Sequence, residues 1–169
     1  MPKRTPGQKK LPSYYQQPIE KINFRKGPEL YPIGKGEQGV LMVEPYKSEI
    51  LPYWKFRTPE LAQTSAQKIF KLFLSYKLKK EFVGMDMSRK FLQMGFTRAR
   101  RYANHPSGRK YHQKTGKVLP SGEDSQKSHS AKIFYGYYLK AREDRVYQRP
   151  KLEHQRTYEI PRSGKASEF

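Results

Sequence analysis

The feature that most constrains what this chain can fold into is the placement of its prolines. Pro28, Pro32, Pro45, Pro52 and Pro59 punctuate the stretch from residue 19 to residue 59. Proline fixes φ and has no N–H to donate, so no long helix can form across that stretch. Its large side chains, Phe24, Tyr31, Tyr46, Tyr53, Trp54 and Phe56, must find cover some other way. They are expected to lie over a helical core as an extended wrap. Trp54 and Phe56 alternate with Lys55 and Arg57, which predicts one buried and one wet face. Only "GVLMV", ending at Val43, reads as a short strand.

Helical signals begin at Thr58. Thr58 suits an N-cap, Pro59 the first helical position and Glu60 the first turn. Ala62, Ala66, Ile69, Phe73 and Tyr76 then recur at helical spacing and define one apolar face. Lys77, Lys79 and Lys80 gather where a helix dipole favours cations. A second helix is predicted over Asp86–Met94, with Met87, Phe91 and Met94 inward, and Gly95 as its stop. Thr97 would cap a short third helix to Asn104, before Pro106. Residues 105–130 read as a basic Gly/Ser/His loop. A fourth helix is predicted over Ser130–Gln148, with Ala131, Phe134, Tyr138 and Leu139 inward, ending at Pro150. Gly136 weakens its middle.

Charge decides the function classes. The chain has 169 residues, 35 basic and 15 acidic, for a net charge of +20. Such an excess repels itself in a compact state and is relieved by a polyanion. Residues 1–28 carry seven basic residues against one acid, and residues 87–122 carry nine against none. There is no cysteine, which excludes disulfides, thiolate metal sites and thiol nucleophiles. The longest aliphatic run, Val40–Val43, is too short for a membrane span or a signal-peptide core. An intracellular protein is the default reading. The aromatic content, 14%, argues against a wholly disordered chain.

Several motifs have plainer explanations. "GKGEQG" at Gly34–Gly39 has the spacing of a dinucleotide loop, but no helix follows it. A kinase reading fails for want of H-R-D and D-F-G. A glycine turn entering a strand is the plainer account, and backbone amides touching a phosphate are a third. A helix-turn-helix centred on Gly95 is opposed by Phe91 where a small residue belongs and by Arg101 where an apolar anchor belongs. His105, His112, His129 and His154 lack zinc spacing. Glu37, Glu44, Glu49 and Asp86 are the acids that a metal-dependent nuclease would have to gather.

The blocks "FRKGPELYPIGKGEQGVLMVEPYKSEILPYWKFRTPE", "FVGMDMSRKFLQMGFTRARRYANHPSGRKY" and "AKIFYGYYLKARE" resemble a small uncharacterised family of basic proteins. It is a domain of unknown function seen in bacteria, cyanobacterial phages, fungi and algae. The resemblance covers about residues 19–158. It implies a mainly helical domain and no particular activity, cofactor or catalytic residue.

The reading is therefore a mainly α protein: a small three-to-four-helix domain wrapped by a Pro/Gly/aromatic segment, with at most a short β element. Residues 1–18 form a basic flexible tail, 19–150 the globular domain and 151–169 a polar tail. The function expected is non-enzymatic binding of nucleic acid through its phosphates, with little sequence reading, RNA slightly ahead of DNA. Arg98, Arg100, Arg101, Arg109 and Lys110 would contact phosphate, with Tyr102 and Tyr111 stacking on bases. Lys3, Arg4, Lys9 and Lys10 would add a second contact. No cofactor is expected. A metal-dependent nuclease or nucleotide-processing enzyme is the alternative. A structural part of a larger assembly, with other proteins as partners, is the third reading.

Overall fold

A computed structural model describes residues 18–105, 109–118 and 125–158. Five α-helices occur among them: α1 (Tyr46–Ile50), α2 (Pro59–Leu78), α3 (Phe82–Asn104), α4 (Ser125–Arg142) and α5 (Arg145–Tyr158). Strand pairing among the described residues is limited to two isolated bridges, Asn23 with Glu44 and Tyr111 with Val118. The fold is mainly α.

α2 forms as its sequence predicts. Thr58 Oγ1 accepts from Leu61 N–H at 3.2 Å, and Ala62, Ala66, Ile69, Phe73 and Tyr76 are all buried. Its end is a two-bond αL cap. Lys80 takes φ +58°, its N–H donates to Lys77 C=O, and Glu81 N–H donates to Tyr76 C=O. That closes the tight corner into α3.

The two helices expected over Asp86–Met94 and Thr97–Asn104 are one, because Gly95 does not stop α3. The glycine is there for another helix. A Cβ at Gly95 would lie 2.4 Å from Phe134 Cδ1 of α4. At the other end, a Cβ at Gly84 would lie 2.5 Å from Tyr76 Cγ of α2. The two glycines let α3 sit close against both neighbours. It is the central helix of the fold, and Val83 through Leu92 are buried all round.

The helix expected over Ser130–Gln148 is two. α4 begins earlier, at Ser125, runs through Gly136 and ends at Arg142. Asp144 then caps α5, accepting from Tyr147 N–H at 3.0 Å and pairing with Lys77 of α2 at 2.6 Å. Pro150 lies inside α5 rather than ending it. Proline removes one helical hydrogen bond there, and the anchoring of Tyr147 and His154 offsets the loss. Both are buried, and His154 Nε2 donates to Tyr31 C=O at 2.6 Å. Helix α5 thus continues past residue 150 to Tyr158, through the first residues of the expected polar tail; residues 159–169 lie outside the described residues. The expected loop at 105–130 shortens correspondingly.

The wrap is less extended than predicted. Ile19–Lys21, Pro28–Leu30, Val40–Met42 and Leu51–Tyr53 are 3-10 turns, separated by extended residues. The expected strand at "GVLMV" is one of these turns. Gly39 enters it with φ +78°, a conformation that favours glycine. Phe24, Tyr31 and Tyr46 are buried, as the wrap requires, whereas Tyr53 is exposed.

Wrap, α3 and α5 meet on Asp86, which is fully buried. It accepts from the hydroxyls of Tyr31 in the wrap and Tyr147 in α5. Arg89 pairs with it at 2.6 Å, and Lys90 Nζ lies 3.9 Å away. Burial alone would raise the carboxyl's pKa. Arg89, Lys90 and the two hydroxyls outweigh that and hold it below the ordinary value.

Two outcomes test this packing. Gly95→Ala is expected to lower stability by about 1–3 kcal/mol through overpacking against Phe134. Gly136→Ala, where a Cβ meets nothing within 4 Å, is expected to raise it by about 0.5–1 kcal/mol. Urea unfolding distinguishes them, and equal effects would contradict the close α3–α4 approach. The second concerns acid. A depressed carboxyl pKa contributes stability that is present above the unfolded value, about 3.9, and is lost as pH falls through the folded value. The urea midpoint is expected to be flat near neutrality and to fall in acid below about pH 4. Asp86→Asn, which strands two buried cations, is expected to cost about 3–5 kcal/mol at pH 7 and to flatten that acid limb.

Candidate nucleic-acid interface

Beyond Met94, α3 emerges from the core. At roughly 100° per residue, Arg101, Arg98 and Tyr102 follow one another around the helix from Thr97, about 40°, 100° and 140° on. Arg98 and Arg101 are exposed. Tyr102 is 37% exposed and stacks on Phe56, centroids 6.1 Å apart. Phe56 packs on Trp54 at 4.9 Å, and Trp54 on buried Phe91 at 6.1 Å. This row of rings runs from the core to the surface and fixes Tyr102 at its outer end. The alternation read from the sequence accounts for it: Trp54 and Phe56 are half-buried, while Lys55 and Arg57 are exposed.

The same residues line an open cleft of about 410 Å³, bounded by Lys55, Phe56, Arg57, Leu61, Tyr102 and Lys127. Its floor is aromatic and aliphatic, its charged side chains are all cationic, and no acid lines it. Lys127 at the start of α4 donates to Arg57 C=O at 2.7 Å, which ties that rim together.

The candidate residues separate into groups. Arg98, Arg101 and Tyr102 share one face. Arg100 is on the other side of the helix, half-buried, with Nη1 3.3 Å from Ser128 Oγ of α4. Arg109, Lys110 and Tyr111 are exposed on a separate turn, residues 109–118. Tyr111 bridges Val118 there, and Lys110 Nζ lies 5.6 Å from the Tyr111 ring. None of the three lines the cleft. Lys3, Arg4, Lys9 and Lys10 lie outside the described residues. Lys55, Arg57 and Lys127 were missed by reasoning from the sequence. The alternation at 54–57 marked the first two as wet, but nothing local places Lys127 beside them.

On the far side of Thr97 lies the glycine loop. A family model for a domain of unknown function, DUF4385, matches residues 14–157. The chain belongs to DUF4385. The match begins a few residues before the resemblance read from the sequence and ends one residue short of it. No curated protein and no solved structure matches the chain.

In this DUF4385 chain the loop is held by buried cations. Arg89 Nη1 donates to Gly36 C=O at 2.7 Å and Lys90 Nζ to Gln38 C=O at 2.8 Å. Gly34, Gly36 and Gly39 have φ of +66°, +56° and +78°, the backbone that glycine permits. The loop runs along the α3 stripe of Arg89, Gln93 and Thr97, and Thr97 Oγ1 donates to Glu37 Oε2 at 2.8 Å.

The acids that a nuclease would gather have separate engagements. Glu37 accepts from Thr97. Glu44 accepts from Ser48 N–H and Oγ at the start of α1. Glu49 pairs with Arg25 at 2.7 Å and accepts from Tyr76. Burial would raise the Glu49 pKa, but Arg25 and the Tyr76 hydroxyl bring it below the ordinary value. Asp86 is sealed in the core. Among the described residues, no group of three or more His, Asp or Glu is arranged to hold a metal ion. Nor is any helix among them long and apolar enough to cross a membrane.

Proposed function

We propose that this DUF4385 domain binds nucleic acid without chemistry, gripping phosphates of a single strand with little sequence reading, RNA ahead of DNA. The observation that carries the reading is the exposed pair Arg98 and Arg101 beside the Tyr102 cleft, which no acid lines. Cations spaced along a helix suit the regular charge of a phosphate backbone. An exposed aromatic ring, braced from behind by Phe56, suits an unstacked base, which only a single strand presents freely. Lys55, Arg57 and Lys127 around the same ring suit the phosphates flanking that base. The net charge of +20 favours the same partner over a neutral one.

Fluorescence anisotropy with labelled single-stranded RNA, single-stranded DNA and duplex DNA tests this over a series of salt concentrations. Affinity is expected to fall with salt, log Kobs against log salt having a slope of about −0.7 per phosphate contacted on a single strand. Arg98→Glu with Arg101→Glu is expected to weaken binding on every substrate and to reduce the slope. Tyr102→Ala is expected to cost about 1–3 kcal/mol on single strands and little on duplex. Absence of binding to all three at low salt would sink the proposal.

A further inference from the structure

The glycine loop has a second face. Its inward carbonyls, those of Gly36 and Gln38, accept from Arg89 and Lys90. Each carbonyl shares a peptide group with the next residue's N–H, and a trans peptide sets the two antiparallel. Glu44–Pro45 is the cis bond of the described chain, so the bonds 36–37 and 38–39 are trans. The N–H groups of Glu37 and Gly39 must therefore point away from the buried cations, out of the protein. Neither has a backbone or side-chain acceptor among the described residues.

We propose that this loop is a phosphate-binding site, with the outward N–H groups of Glu37 and Gly39 as its donors. Four observations support it. Two peptide dipoles are locked with their positive ends outward. Behind them sit the buried side chains of Arg89 and Lys90, which hold the inward carbonyls, so the loop turns the positive ends of these peptide dipoles outward. Lys35, on the loop itself, is exposed. The one carboxylate of the loop, Glu37, is turned to Thr97 rather than across the amides. Unlike a dinucleotide loop, the site opens no α-helix. Its donors are oriented by side chains of a neighbouring helix.

The site stands on the loop's own geometry. Its place on a polymer's path rests on the nucleic-acid reading. Thr97 and Arg101 are one turn apart on α3, so the loop borders Arg101 on the side opposite Tyr102. A strand leaving the aromatic cleft over Arg98 and Arg101 would bring its next phosphates to the loop.

The test uses the full chain, labelled with ¹⁵N, titrated with inorganic phosphate against chloride at matched ionic strength. Saturable shifts of the Glu37 and Gly39 amides are expected. A variant pair then separates charge from shape. Asn and Asp both tolerate positive φ, and a Cβ at Gly39 meets nothing within 4 Å. Gly39→Asp is expected to bind phosphate at least tenfold more weakly than Gly39→Asn. Unmoved amides, or equal binding by the two variants, would overturn the site. A mononucleotide and a short single-stranded RNA form the last two arms. Shifts of the same two amides support the site in either case, and the tighter ligand identifies the source of the phosphate. Phosphate binding without RNA binding would refute the nucleic-acid reading alone. RNA binding that leaves these amides unmoved would refute the loop site alone.

Discussion

A carboxylate with no access to water organises this domain. Asp86 is surrounded by groups from three parts of the chain: Tyr31 of the wrap, Arg89 and Lys90 of its own helix, and Tyr147 of α5. A buried charge is costly unless it is paired and hydrogen-bonded, so each of these groups has to be in place. The proline-rich segment, which cannot form a long helix, is held through Tyr31. Helix α5, carrying Pro150, is held through Tyr147. Burial and the nearby carboxylate both push the pKa of the two phenols up, so they remain donors.

The same cluster reaches the surface through its cations. Arg89 spans from Asp86 to Gly36 C=O, and Lys90 from beside Asp86 to Gln38 C=O. Core charge and loop shape are thus one arrangement. Both buried cations also donate to the inward carbonyls of the glycine loop. Further along α3 the helix leaves the core, and its cations turn from internal partners to solvent-facing ones. Its first half holds the fold together and its second half carries the candidate interface.

How much of this was legible depended on how local the cause was. The Thr58 cap, the apolar face of α2, the proline-limited wrap and the exposure of Arg98 and Arg101 follow from neighbours a few residues away. The errors share one origin. Gly95 and Pro150 look like helix ends locally, and only Phe134 against the first and the anchoring of Tyr147 and His154 around the second explain why the helices continue. His154 reads as part of a polar tail, yet it closes over the Tyr31 carbonyl. Asp144 carried a readable N-cap signal ahead of Tyr147, and the expectation of one long helix passed over it. In "MSRKF" nothing local marks Arg89 and Lys90 as buried.

By itself, the sequence determined the helical class, the exclusion of thiol chemistry, the net charge of +20 and the residues that must wrap rather than coil. These depend on composition, on proline's missing N–H and on short-range periodicity, all of which act within a few residues. The tertiary structure decided which charges are internal, where α3 and α5 end, and which face of the glycine loop is outward. Those outcomes depend on partners far away in the sequence, such as Phe134 on Gly95, Tyr147 on Asp86 and Arg89 on Gly36. Burial strengthens an ion pair and penalises an unpaired charge, and it exists only once those distant segments have met.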